Sequence, residues 1–120
     1  MNVQGPDFIA LQWRDIEAGK QFYEEVLGLR LAEFSPPDAF VFDTKPITFA
    51  VRKPLVDLDL TSHLGHGVAL WLLADDTEEV LGRLEQHSVE IVRGLGDSPF
   101  GKTLTFRDPE GYSVTIHDQS

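Results

Sequence analysis

The chain contains no cysteine, so disulfides and thiolate chemistry are excluded. It has no apolar run approaching the roughly 20 residues that a bilayer-spanning helix needs. Its start, Met-Asn-Val-Gln-Gly-Pro, has neither a basic segment nor a signal-like apolar stretch, and the expected location is cytoplasmic. Bases are scarce: ten Lys and Arg stand against twenty Asp and Glu, for a net charge of −10. Nucleic-acid affinity rests largely on clustered Lys and Arg, so no nucleic-acid partner is expected. There is no Walker loop, no nucleophile elbow and no dinucleotide-binding glycine motif. Gly94-x-Gly96 is a loop with too little context to count as one, and no carboxylate pair is placed by a specific signal for acid–base work.

What remains is a chain of 120 residues, 42% hydrophobic and 25% charged, the balance of one globular domain. The acidic excess serves solubility or supplies a field that attracts cationic ligands; the sequence does not place the charges. The stretch from Phe8 to Leu31 organises the rest. Phe8 to Trp13 is apolar and aromatic, which suits a buried strand. Asp15 offers a carboxylate to free backbone N–H groups, as an N-cap does. Ile16, Gly19, Phe22, Tyr23, Val26 and Leu27 then recur at helical spacing. Gly28 fits the left-handed position that ends a helix, and Leu29 to Phe34 reads as extended.

The same grammar returns downstream. Val68 to Ala74 is an apolar run. Asp76 is followed three residues later by Glu79, a capping-box pattern. Val80, Leu81 and Leu84 form the helical stripe, and Val89 to Val92 reads as the returning strand. Aligning Asp15 with Asp76 superimposes strands and helices, which points to an internal duplication. The remaining strands are Ala39 to Phe42, Ile47 to Val51, Lys102 to Phe106 and Ser113 to His117. Gly94, Gly96, Ser98 and Pro99 read as a loop. The domain organisation is one domain, with a first β-α-β-β-β module over about 7–53, a linker over about 54–66 and a second module over about 67–118.

Three motifs together resemble the vicinal-oxygen-chelate superfamily, the glyoxalase, bleomycin-resistance and extradiol-dioxygenase group. They are Asp15-Ile16-Glu17 with Phe22-Tyr23 through Leu27-Gly28-Leu29; Asp75-Asp76 with Leu84 and Val89-Glu90-Ile91-Val92; and Phe106-Arg107-Asp108-Pro109-Glu110-Gly111-Tyr112, where the family usually has Asn in place of Tyr112. The resemblance implies an α+β fold of two βαβββ modules, with sheets curling into a cup and helices on the outer faces. It also implies a homodimer and, in the enzymes, a divalent metal held by His, Gln or Glu on facing strands.

Mapped residue by residue, those ligand positions fall on Phe8, on Ala69 (or Val68 if Asp75 is the cap) and on Thr115. None is a usual ligand, and Ile47 to Val51 offers no carboxylate or imidazole. Four histidines remain. A displaced site using His66 and His117 is the alternative to linker and surface histidines. No metal, and no other cofactor, is expected.

Strand parity then suggests what lines the cup. If Phe8 points inward, so do Ala10 and Gln12, with Ile9, Leu11 and Trp13 facing the helix. With Asp76 as cap, Ala69, Trp71 and Leu73 point inward; with Asp75 as cap, Val68, Leu70 and Leu72 do. Ser113, Thr115 and His117 share a face. The register of the Ala39–Val51 hairpin stays open. The candidate ligand-binding residues are Phe8, Gln12, Phe40, Phe42, Trp71, Thr115 and His117. Phe8 and Trp71 have the alternative role of filling a collapsed core, whereas Phe22 and Tyr23 read as helix-to-sheet packing. The expected function is metal-independent binding of a small cationic or aromatic molecule, antibiotic sequestration being one form of it. A lyase or dioxygenase-like enzyme with a non-standard metal site is the alternative.

Overall fold

The computed structural model describes residues 2–119 of an α+β chain with two open sheets, one of three strands and one of four. The chain divides between Leu58 and Asp59 into two compact units, each with its own sheet and core.

The first unit contains β1 (Phe8–Gln12), α1 (Ile16–Gln21), β2 (Ala39–Phe42) and β3 (Thr48–Arg52). Asp15 is extended, and its carboxylate accepts from the N–H groups of Glu17 at 3.1 Å and Ala18 at 3.3 Å. Those are two of the orphan donors that open any helix. After Gln21 the helix widens into a π-helical segment, Phe22–Val26, where the Leu27 N–H reaches back to the Phe22 carbonyl. The segment delivers Phe22, Tyr23 and Val26 to the core. Gly28 ends it at φ 77°, as its sequence position suggests. A Cβ on Gly19 would stand 2.9 Å from the Trp13 ring, so glycine at that position is what lets Trp13 lie buried against the helix.

β3 is central, parallel to β1 and antiparallel to β2. Tyr23 is fully buried among rings: Phe49 at 4.9 Å, Phe22 at 5.0 Å, and Trp13 and Phe42 at 6.3 Å between centroids. Edge-on pairs of this kind add about 0.5–1.5 kcal/mol each beyond the area they bury.

The strand expected over Leu29 to Phe34 reduces to a single bridge between Leu31 and Phe42. The cause is local. Ala32 donates to the Val41 carbonyl, but the Val41 N–H is taken by the Ser35 hydroxyl at 2.9 Å. A side chain thus captures the amide that would have closed the next rung of a ladder.

The second unit contains β4 (Leu70–Leu73), α2 (Thr77–Gln86), β5 (Glu90–Ser98), β6 (Gly101–Arg107) and β7 (Ser113–His117), with strand order β4-β7-β6-β5. Asp76, not Asp75, is the cap, accepting from the Glu79 N–H at 3.1 Å. Leu84 on α2 and Leu104, Phe106, Val114 and Ile116 on the central strands form a mainly aliphatic core. The turn after β6 is organised by Asp108, 3% exposed, which accepts from the N–H groups of Glu110, Gly111 and Tyr112. All three donors converge on Oδ1, and a charged acceptor strengthens each bond, which gives the Asp-Pro-x-Gly motif its physical meaning.

The loop expected at Gly94 to Pro99 is instead the continuation of β5 to Ser98, with register shifts between Ile91 and Arg93 and between Arg93 and Gly96. Glycines are tolerated where a bulge interrupts an edge strand, so the turn moves outward to Pro99-Phe100. Lys102 at the start of β6 pairs with Glu78 on α2 at 3.0 Å, and that carboxylate raises the Lys102 ammonium above its ordinary pKa.

Candidate functional site

Each sheet has one face covered by its helix and one face turned away from it. In the second unit the assignment follows from register. Leu104, Phe106, Val114 and Ile116 are buried, so residues of opposite parity lie on the other face. Arg93 pairs with Thr105, Thr105 with Thr115, and Thr115 with Trp71, making one row across four strands. Gly96, Thr103, His117 and Leu73 make the next row.

Three rings meet on this face. Trp71 stands edge-on to His117 at 5.2 Å and to Phe100 at 5.8 Å between centroids. Trp71 is 42% exposed and Phe100 is 55% exposed, so this cluster is not a core. Phe100 is held at the hairpin tip because Ser98 Oγ accepts from its N–H at 3.0 Å and donates to the Gly101 carbonyl at 2.9 Å. His117 is fixed by its Nδ1, 2.7 Å from the Gln119 carbonyl. A carbonyl oxygen only accepts, so Nδ1 carries a proton, and the tautomer this contact selects presents Nε2 as an acceptor. Beside them the Thr105 and Thr115 hydroxyls lie 2.8 Å apart. One donates to the other, which leaves one proton to offer a ligand.

In the first unit, Phe8, Ala10 and Gln12 pair with Thr48, Ala50 and Arg52, on the face away from the buried Phe49 and Val51. Phe8 is 53% exposed there. Gln12 is tied into the backbone, its Oε1 accepting from the Leu55 N–H at 2.6 Å. The hairpin register, open in the sequence, corrects the expectation for two residues. Phe40 pairs with Val51 and Phe42 with Phe49, so both lie on the helix side. Phe42 is fully buried, packed on Phe49 and Tyr23, while Phe40 lies under the Lys20 ammonium at 5.8 Å. The fully buried Phe42 ring has no face to offer a ligand, while Phe40 is half-buried.

The structure therefore gathers Trp71, Thr115 and His117 on one face, keeps Phe8 and Gln12 on the face of the other sheet that is turned away from its helix, and sets Phe40 and Phe42 apart. It adds Phe100, Thr105 and Arg93. Phe100 was hidden by the loop reading of its neighbourhood, but the alternation of Lys102 to Phe106 carried the signal for Thr105.

The residues at the metal-ligand positions do not fit a metal. Phe8 and Ala69 carry no donor atom, and the Thr115 hydroxyl is engaged with Thr105. Among the described residues no three His, Asp or Glu side chains gather to hold an ion. His66 faces His63 at 5.7 Å and His117 faces Trp71, so the displaced site has no assembled ligand set. A separate cavity of about 280 Å³ is lined by Glu78, Leu95, Gly96, Asp97 and Lys102. Its charged walls are exposed and largely paired with each other, and it holds none of the aromatic rings.

A sequence model of the Glyoxalase/Bleomycin resistance protein/Dioxygenase superfamily matches residues 5–116. The chain belongs to this superfamily. A curated relative, the metallothiol transferase FosB of Lysinibacillus sphaericus (strain C3-41), is 28% identical over 120 residues, covering 98% of this chain and 84% of the relative. Among solved structures, TnmS3, an antibiotic binding protein from Streptomyces sp. CB03234, matches with TM-score 0.75 and 22% identity over 100% of this chain and 99% of its own. A lactoylglutathione lyase from Agrobacterium tumefaciens matches with TM-score 0.68 and 22% identity over 98% and 96%. At such identities the structural matches speak for the superfamily fold, which binders and enzymes share. The fold agrees with the resemblance read from the three sequence motifs. No helix among the described residues is long and apolar enough to cross a membrane.

Proposed function

We propose that this chain is a metal-independent binding protein for a flat aromatic small molecule, held on the uncovered face of the second sheet. The observation that carries the reading is the exposed Trp71, flanked edge-on by His117 and Phe100. Stacking needs an aromatic face that water can reach and neighbours that fix its orientation; both are present. The absence of donor atoms at Phe8 and Ala69 supports binding without a metal. The name of TnmS3 supports antibiotic sequestration as the biological form of such binding. The name of FosB favours the alternative, a metal-dependent enzyme.

One experiment separates them. The protein is dialysed against EDTA, its metal content is measured, and a panel of planar aromatic compounds is tested by thermal shift with and without added Zn, Mn, Ni or Fe. Stabilisation by aromatic compounds with no metal present is expected. About one metal per chain that survives mild dialysis, or stabilisation only when a metal is added, would sink the proposal. The chain also pairs as a homodimer in this reading, since both sheets leave edge strands that a partner can cover. Light scattering giving a monomer mass at micromolar concentration would contradict that part alone.

A further inference from the structure

We infer that the ligand of this face carries a negative charge beside its aromatic ring, with Arg93 as the residue that selects for it. The inference rests on the binding reading above and names the ligand class. The protein as a whole argues the other way: residues 59–120 hold eleven acids against four bases, and such a field attracts cations. The local arrangement opposes that field. The two rows of the uncovered face contain Arg93, Thr105, Thr115 and Trp71, then Gly96, Thr103, His117 and Leu73. Not one of these eight is a carboxylate, and the single fixed charge among them is the Arg93 guanidinium.

The carboxylates nearest in the fold are occupied elsewhere. Glu90 pairs with Arg107 at 3.4 Å, one row away. Glu78 pairs with Lys102, and Asp118 accepts from the Lys102 N–H at 2.9 Å. Asp97 is opposite Lys102, on the parity of the α2 side. Arg93 is exposed, and no described residue pairs with its side chain. An arginine left unpaired in so acidic a chain is a guanidinium with its bidentate donors available.

The spacing suits one molecule. The row from Arg93 to Trp71 crosses three strand intervals, about 14 Å at roughly 4.8 Å each. A ring on Trp71 places its substituent over the Thr105–Thr115 hydroxyl pair. The long arginine side chain reaches the same point from the far edge. The free threonine proton and the guanidinium then converge on a carboxylate, phosphonate or sulfonate, whereas an ammonium brought to the same point is repelled by the guanidinium charge. His117 Nε2 remains as an acceptor for a hydroxyl or amide on the ring.

Three matched probes test this at low salt by calorimetry: naphthalene-2-carboxylate, the neutral naphthalene-2-carboxamide, and naphthalen-2-ylmethylammonium. The carboxylate is expected to bind roughly tenfold tighter than the ammonium, a preference that shrinks as salt screens it. In R93Q the preference is expected to vanish while the carboxamide binds as before. R83Q, which removes the same charge from α2, is expected to keep the preference. Equal binding of the carboxylate and ammonium, tighter binding of the ammonium, or a preference that survives R93Q overturns the inference but leaves the face a binding site. Failure of all three probes overturns the binding reading and this inference together.

Discussion

The two units share one grammar and distribute most of their aromatic residues differently. In the first, Trp13, Phe22, Tyr23, Phe42 and Phe49 fill the space between helix and sheet. In the second that space is mainly aliphatic, with Leu84, Leu104, Val114 and Ile116 around the ring of Phe106, and the rings of Trp71 and Phe100 stand on the uncovered face. The caps are the same residue in the same conformation. The difference therefore lies in what the rings are for. Rings inside stabilise, because burial and edge-on packing act on the folded state alone. Exposed rings gathered in one patch mark a candidate contact surface, and the three at the hairpin tip form the one on which the proposed aromatic ligand would stack.

The contrast can be broken at the core first. Phe42→Ala removes a fully buried ring and is expected to cost roughly 3–5 kcal/mol in a denaturant melt, while leaving ligand affinity per folded molecule unchanged. A smaller effect tests the equivalence of the two helices. Asp15→Ala and Asp76→Ala each remove a carboxylate that caps a helix, and each is expected to lose about 1 kcal/mol. If one cap costs several times the other, the two units are not energetic copies of one design.

How much of this could be read from the chain depends on whether the deciding interaction is local. Asp15, Gly28, Asp76 and the Ser113–His117 strand were legible because caps, left-handed turns and alternation act within a few residues. The motif around Asp108 was legible as a pattern, and its three-donor turn explains why. The strand over Leu29 to Phe34 failed because Ser35 captures the Val41 amide, a contact that propensity does not encode. The loop over Gly94 to Pro99 failed because a bulged edge strand and a loop have the same composition. The helix-side placement of Phe40 and Phe42 was not legible because pairing with β3, and not anything in their own strand, decides which face they take. Trp71, Thr115 and His117 came out on a common face because parity on β4 and β7 needed only one anchor, and Asp76 supplied it.

The central claim is that Trp71 serves a ligand and not the core. Denaturant melts of wild type and Trp71→Ala, beside calorimetric titration with naphthalene-2-carboxylate, test it most directly. At 42% exposure the ring contributes less to folding than a buried one, so a stability loss below about 1.5 kcal/mol is expected. Loss of its stacking face is expected to weaken binding about tenfold. A stability loss of roughly 3–5 kcal/mol with unchanged affinity per folded molecule would contradict the account and return Trp71 to the core.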